Sequence, residues 1–321
     1  MIAVGLARKI AELFIYLFIG FILVKIKALK KEDATVLTQL CIRIIMPCNI
    51  YNAFQIERTP AVLNGLIAAF ITFSVIEFIY ILMGMAFTLT GAGVVDSASV
   101  SYPNVGNLVI PLTASLFGPE WIIYVTGATT SFNLILWSYG INMFEDDRDS
   151  VTGSYSGKFG RFIKKTFGNP VNIAAILGII SFLLGFSLKG TIAGTAIETL
   201  AATVGPVSMG IIGMVLGGMK AEDFTGHKRL PLVVLMRMVI CPLVIILLMR
   251  VTSLPSLIEN GRNIMMIMLM CAAAPSANLI SQLALLYDKD AEYASVISVV
   301  TTLSCILTMP LMVLIYETVI N

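Results

Sequence analysis

Two short segments place polar side chains inside long apolar runs. One reads SYPNVGNLVIP at residues 101–111, and the other reads AAPSANLISQ at residues 273–282. Proline removes a backbone hydrogen bond, and an unsatisfied polar group in lipid is costly. Interrupted helices persist in membranes where the freed backbone lines a cavity, and such breaks mark substrate sites near the midplane. The sequence therefore predicts a ligand site whose residues are Pro103, Asn104, Asn107, Pro275, Ser276 and Asn278.

The chemistry of this site is that of anion binding. The helix that resumes after each proline would point its partly positive N-terminal end at the break. We expect Asn107 and Asn278, or Ser276, to cap these ends through their side-chain oxygens. The alternative is a pair of proline kinks that only shapes the packing.

The composition tells which elements must carry these residues. Of the 321 residues 58% are hydrophobic and 12% are charged, whereas soluble proteins carry about 25% charged residues. The mean hydropathy is +0.92. The sequence thus predicts an all-α polytopic membrane protein with ten spanning helices, at residues 8–27, 34–54, 61–89, 98–117, 120–143, 169–188, 191–219, 230–252, 263–287 and 291–319.

The longest connection, 144–168, divides the chain into two sets of five spans, 1–143 and 169–321. Because five is odd, the second set enters the membrane in the opposite orientation, which makes an inverted repeat natural. Pro103 and Glu120 are 17 positions apart, as are Pro275 and Glu292. The breaks also occupy corresponding spans, so we expect helices 4 and 9 to be broken and to cross. In span 7, a set of glycines indicates close helix approach: Gly210, Gly213, Gly217 and Gly218.

Lysine and arginine are asymmetrically distributed over the connections between spans. One side of the membrane carries 13 of them and the other side carries 6. Basic residues accumulate on the cytoplasmic side. We therefore expect both termini outside and the 144–168 connection in the cytoplasm, in a plasma (inner) membrane.

Charged residues inside the spans are costly and usually functional or paired. Glu77 in span 3 and Arg237 in span 8 lie at similar depths, in the third span of their halves. They are predicted to pair as a support or coupling site, and a static pair that stiffens the protein is the alternative. Arg43 in span 2 has two open interpretations: it faces the cavity as an anion partner, or it reaches back to the inner surface.

The segments YPNVGNLVIP and APSANLISQLALLY, in a ten-span chain with this charge asymmetry, resemble the auxin efflux carrier family in its compact prokaryotic form. Prolines with polar neighbours in spans 4 and 9 also suit the related bile acid–sodium symporters. The resemblance implies a scaffold domain of spans 1, 2, 6 and 7, which often supports a homodimer. It also implies a transport domain of spans 3–5 and 8–10 that moves organic anions by an elevator-like shift.

The same resemblance implies further pocket residues. Span 2 of the family contributes to the pocket just after its proline, which matches Asn49 here, and span 5 contributes a polar residue, which matches Asn133. An alternative for the Thr and Asn side chains of span 5 is hydrogen bonding between helices. Plant members carry an acid and a nearby base in span 3. This chain keeps the acid, Glu77, but has Ile81 one turn later.

The sequence lacks the motifs of several functional classes. One histidine cannot build a zinc site, and no nucleotide-binding or hydrolase motif is present, so neither an enzyme, a cofactor nor a nucleic-acid partner is expected. We expect a gradient-driven carrier of a small organic anion such as malonate or malate, coupled to sodium, to protons or to neither. A carrier of auxin-like aromatic monocarboxylates is the nearest alternative. A channel would need a polar stripe along several spans, and a transporter-derived sensor would need an output domain.

Overall fold

The computed structural model describes residues 2–144, 168, 170–256 and 259–320. These residues form helices and no strand longer than an isolated bridge. In chain order the helices are α1 Ile2–Lys25, α2 Asp33–Ala53, α3 Pro60–Thr88, α4 Val94–Ser101, α5 105–116, α6 119–144, α7 Pro170–Leu184, α8 Ile192–Gly218, α9 Leu230–Thr252, α10 Gly261–Ala272, α11 Leu279–Leu286 and α12 Ala291–Val319.

Five of these helices, α2, α3, α8, α9 and α12, are long and apolar enough to cross a membrane. The 29 residues of α3 extend about 43 Å, more than the roughly 30 Å of a bilayer's hydrocarbon core. Shorter apolar helices are α7 and α10. Each predicted span coincides with helical structure, and spans 4 and 9 are each split in two. Most of the predicted 144–168 connection, residues 145–167, lies outside the described residues.

The long helices are apolar on both sides, as a membrane environment requires. On α3 an exposed stripe recurs every three or four residues: Ile71, Val75, Phe78, Leu82 and Met85. The opposite face packs Phe73 and Tyr80 into the core and also carries Glu77. Lipid can therefore cover one face of α3 while the other face holds a buried carboxyl group.

Three helices contain a wide π-helical turn that ends two residues before a proline. These turns are Cys41–Ile45, Val105–Val109 and Met236–Ile240, and they precede Pro47, Pro111 and Pro242. Proline lacks the backbone N–H and its ring collides with the carbonyl one turn earlier, so the helix widens there. Such turns often occur at functional sites. Two of the three also carry the arginines expected to be functional, Arg43 and Arg237.

Helix α1 packs against the second part of α8 with the two backbones in contact. A side chain at Gly213 would place its Cβ 1.8 Å from the Leu17 carbonyl oxygen, and one at Gly20 would lie 2.1 Å from the Gly210 carbonyl oxygen. Only glycine fits at these two positions. The close approach that was predicted from the glycines of span 7 is confirmed.

The remaining packing falls into two groups of helices. Helix α2 contacts α7 and α8, and α1 contacts α8. In the other group α3 contacts α4, α6 and α10, while α11 contacts α12. The groups meet where α1 lies against α12 and where α8 lies against the first turn of α5.

Candidate functional site

The two interrupted helices meet at their breaks. Pro103 and Ser276 form an antiparallel bridge. The Asn104 amide donates to the Pro275 carbonyl at 2.7 Å, and the Ala277 amide donates to the Tyr102 carbonyl at 3.0 Å. Backbone groups that lost their helical partners at one break are therefore hydrogen-bonded to backbone groups at the other. This pairing allows both breaks to persist inside an apolar protein.

Polar side chains with unused hydrogen-bonding capacity surround this bridge. Pro103, Asn104, Pro275 and Ser276 are all buried. The Asn104 Nδ2 and Ser276 Oγ atoms have no hydrogen-bond partner among the described residues, and neither has the hydroxyl group of buried Tyr102. Buried polar groups of native proteins are normally satisfied. These three groups can donate to a ligand.

The predicted side-chain caps are not formed by Asn278. It occupies the position before the first residue of α11 but makes no capping bond. Its φ and ψ are −59° and −23°, which is helical, whereas a capping residue usually has extended geometry that lets its side chain reach the next amides. Its Oδ1 instead accepts a hydrogen bond from the Ser298 hydroxyl. The cap prediction for Asn278 is therefore wrong.

Nor does Ser276 cap α11, because its Oγ makes no hydrogen bond with any residue that the structure describes. Its backbone amide donates to Thr301 Oγ1 at 3.1 Å. The backbone of Asn107 lies within Val105–Val109, at the start of α5, and its side chain lies outside what the structure describes.

The two residues suggested by the family resemblance occupy different positions relative to the bridge. Asn133 is buried on α6, which contacts the first turn of α5 directly after the bridge. The Asn49 Nδ2 atom donates to the Ala201 carbonyl at 3.1 Å, and its Oδ1 has no partner within the described ranges. Met46, one turn before Asn49, lies against Gly106. Helix α2 thus reaches the broken segment, but the amide group of Asn49 is bonded to α8.

Arg237 is fully buried and bonds to the ends of both first half-helices. Its Nε and Nη2 donate to the Ala274 carbonyl at 3.0 and 2.9 Å. Nη2 also donates to the Ala272 carbonyl at 2.7 Å, and Nη1 donates to the Val100 carbonyl at 3.0 Å. The guanidinium lies 4.9 Å from the ring centre of Tyr80, whose hydroxyl donates to Ala272 at 3.1 Å.

Glu77 and Arg237, which were predicted to pair, are close enough to interact electrostatically but are not hydrogen-bonded to each other. Both Glu77 carboxyl oxygens are buried with no hydrogen-bond partner among the described residues. Carbonyls at a helix C-terminus have no partner within the helix, and those of α4 and α10 take the guanidinium donors instead. Glu77 is left as a buried acid without a donor, an arrangement that is costly unless the charge is compensated.

Arg43 lies apart from these residues on the exposed surface of α2. Its Nε donates to Gln39 Oε1 at 2.9 Å, one turn earlier. Of its two interpretations, this position fits a side chain that reaches back along the helix surface.

Sequence reasoning missed several buried polar residues around the break. Tyr80 bonds to Ala272, and Ser298 and Thr301 of α12 bond to the 276–278 segment. A signal was present, because Tyr80 follows Glu77 by three positions and Thr301 follows Ser298 by three positions, which puts each pair on one helix face.

A sequence profile of the membrane transport protein family matches residues 6–313. The chain belongs to this family. Since the match covers nearly the whole chain, the resemblance to the auxin efflux carriers is confirmed, and the apolar helices are those of a multi-pass membrane protein. The chain is also similar to a protein of Methanothermobacter thermautotrophicus described as an uncharacterized transporter. The two are 25% identical over 330 residues, which cover 97% of this chain and 98% of that protein.

Proposed function

We propose that this member of the membrane transport protein family is a secondary active transporter of small organic anions, with carboxylates such as malonate or malate as substrates. The observation that carries the proposal is the pairing of two interrupted helices at buried breaks, Pro103 with Ser276. In this proposal spans 4 (α4 and α5) and 9 (α10 and α11) belong to an inverted repeat and cross at the breaks. The substrate binds at the crossing. Catalysis is not part of the proposal.

The local chemistry favours a carboxylate. The N-terminal ends of α5 and α11 begin at the crossing, where they carry partial positive charge. Neither Asn104 nor Asn278, the residues before these ends, makes a side-chain cap, so backbone donors are not taken by a neighbouring side chain. Asn104 Nδ2, Ser276 Oγ and the Tyr102 hydroxyl add donors without partners. Carboxylate oxygens accept hydrogen bonds from all of these groups.

The burial of the site favours alternating access by an elevator-like movement. Because Asn104, Ser276 and Asn133 are buried, a substrate reaches them only if part of the protein moves. We assign the first group of helices to a scaffold of spans 1, 2, 6 and 7, and the second group, together with α5 and α9, to a transport domain of spans 3–5 and 8–10. We propose that the second group, which contains both breaks, moves as a unit against the first.

Glu77 is the proposed coupling residue. It lies on the same group of helices as the breaks, and both of its carboxyl oxygens are buried without a hydrogen-bond donor in the part of the chain that the structure describes. A proton or a sodium ion would compensate this charge, and binding of either would link transport to a gradient.

We also place the protein in the plasma (inner) membrane, with both termini outside and the 144–168 connection in the cytoplasm. A second copy of the chain is the proposed partner, joined through the scaffold. In support, the first part of α8 is exposed on almost every side, and Ile192 is 94% exposed. The mass of the detergent-purified protein tests the dimer.

A second substrate class has one observation in its favour. The ring of Tyr102, beside the break, packs edge-on against Phe132 with centroids 6.2 Å apart. Aromatic rings prefer such neighbours, so an aromatic monocarboxylate of the auxin type is the alternative substrate.

Uptake by proteoliposomes tests the proposed function. Purified protein is reconstituted and given labelled malonate, malate or indole-3-acetate, with imposed proton or sodium gradients. We expect accumulation of a dicarboxylate, and stimulation by one gradient. Accumulation of indole-3-acetate alone would select the aromatic alternative. Passive flux of many unrelated ions that follows only the membrane potential would indicate a channel and contradict the proposal.

A further inference from the structure

Arg237 joins the two first half-helices at their C-terminal ends. Its three acceptors are the carbonyls of Val100, next to the end of α4, and of Ala272 and Ala274, at and just beyond the end of α10. The side chain reaches them from the wide turn Met236–Ile240 of α9, with 0% of its surface exposed. One residue therefore links three helices at the place where the two breaks pair.

Only a guanidinium can form this arrangement. Arginine presents five N–H donors in a planar fork, whereas lysine is a compact point charge. Here the fork satisfies carbonyls of two different helices with four hydrogen bonds of 2.7–3.0 Å. The ring of Tyr80 against the guanidinium adds a cation–π contact. Four of the five N–H donors are thus bonded to the protein backbone, which makes Arg237 part of the structure that holds the site.

The charge of Arg237 also alters the electrostatics of the site. Each helix C-terminus carries about −0.5 elementary charge and each N-terminus about +0.5. Two ends of each kind meet at the breaks, and their sum is close to zero. The guanidinium bonds to the two negative ends, so the positive ends of α5 and α11 dominate what a ligand encounters.

We propose that Arg237 is a positioning residue that holds the paired breaks together and gives the site its preference for anions without touching the substrate. The second half of this inference rests on the proposed carboxylate transport, whereas the first half does not. Arg237 is near enough to act on Glu77 electrostatically, with no hydrogen bond between the two among the described residues. The preference for anions therefore holds while the proposed proton or sodium ion compensates the charge of Glu77.

Hydrogen exchange tests the positioning half on ligand-free protein. The chain offers a matched control in Arg250, an exposed arginine on the same helix that donates to the Val319 carbonyl at the end of α12. In Arg237→Gln we expect faster amide exchange in peptides that contain Asn104 and Ala277, whose amides form the bridge. Arg250→Gln should leave these peptides unchanged. Equal exchange in Arg237→Gln and the wild type would overturn the inference.

Ligand binding tests the electrostatic half. The affinities for malonate and for its neutral diamide, malonamide, are measured for Arg237→Gln and Arg237→Lys. We expect malonate affinity to fall roughly 10- to 30-fold in Arg237→Gln, the size of a strong helix-dipole interaction. Malonamide affinity should change little, and Arg237→Lys should retain the preference for malonate because it keeps the charge.

A purely structural role would give a different pattern. Lysine and glutamine would then lower the affinity for both probes in parallel with the melting temperature, and the electrostatic half would be wrong. If Arg237→Gln does not fold, hydrogen exchange and ligand affinity are both measured on Arg237→Lys. We then expect faster amide exchange at the breaks and a retained preference for malonate over malonamide. If the wild type binds no carboxylate, the proposed function fails, and the exchange result alone decides whether Arg237 holds the breaks together.

Discussion

Arg237 and Glu77 are both fully buried, but their side chains differ in the hydrogen bonds that they make. Arg237 makes four hydrogen bonds to backbone carbonyls, whereas neither carboxyl oxygen of Glu77 makes any with the residues that the structure describes. A buried charge with four of its five N–H donors bonded to the backbone helps to hold the site together. A buried acid without a donor is the group whose state changes most easily when an ion arrives.

Replacement of Glu77 by glutamine tests this distinction. The amide has nearly the same shape but cannot bind a proton or pair with a cation. We expect Glu77→Gln to lose the stimulation of malonate uptake by an imposed proton or sodium gradient. Its melting temperature should not fall, since the carboxyl group makes no hydrogen bond among the described residues that the amide would lose. Glu198→Gln, at an exposed position of α8, is the control. Full stimulation in Glu77→Gln would show that coupling resides elsewhere.

The sequence predicted the residues of the breaks better than it predicted their partners. Proline followed by polar residues in an apolar run marks a broken helix, and Pro103 and Pro275 were found in this way. The partner of Asn278 is Ser298, on another helix, and no local pattern joins them. Arg237 was expected to bond to a carboxylate, because backbone carbonyls, its actual acceptors, carry no signal in a sequence. Side-chain charge therefore predicted that Arg237 and Glu77 lie near each other, but not which atoms accept the hydrogen bonds of Arg237.

Among the helices, glycine and proline mark several of the places where two helices approach closely or one helix widens, although the wide turn Leu136–Gly140 of α6 precedes no proline. The wide turns before Pro47, Pro111 and Pro242 follow from the missing N–H of proline. The contact of α1 with α8 follows from glycines that remove the Cβ between two backbones. Both features could be anticipated from residue type, whereas the exact contact atoms depend on the rotation of each helix.

Two neighbouring glycines of α8 provide a matched comparison. A Cβ at Gly213 would lie 1.8 Å from the Leu17 carbonyl oxygen, whereas one at Gly210 would meet nothing within 4 Å. Gly213→Ala should force α1 and α8 apart at a cost of about 1–3 kcal/mol or more, the usual range for overpacking. Gly210→Ala should be tolerated. Melting temperatures of the detergent-purified variants check this, and equal temperatures would mean that the close contact contributes nothing to stability.

The whole molecule has one orientation in the membrane, and the charges on the connections between its helices predict it. Thirteen basic residues on one side against six on the other predict which side is cytoplasmic. The composition of the helices shows that they suit a bilayer but does not show which side faces the cytoplasm. Only the charges on the connections predict that orientation.

Labelling of single cysteines measures this orientation. In a cysteine-free variant, Thr225→Cys lies in the connection between α8 and α9, and Ser187→Cys lies between α7 and α8; both positions are exposed. A membrane-impermeant thiol reagent added to intact cells should label Ser187→Cys and leave Thr225→Cys unlabelled until the membrane is opened. Labelling of Thr225→Cys but not of Ser187→Cys in intact cells would mean that the protein has the opposite orientation.

A carboxylate is proposed to bind where the two broken helices pair. Equilibrium binding of malonate to purified protein tests it in the wild type, Asn104→Ala and Ser276→Ala, with exposed Asn142→Ala on α6 as the control. Loss of a hydrogen bond to a charged ligand costs about 1.5–3 kcal/mol, so each site variant should bind roughly 10- to 150-fold more weakly. The control should bind like the wild type. Wild-type affinity in both site variants would contradict the account and leave the paired prolines as features of packing.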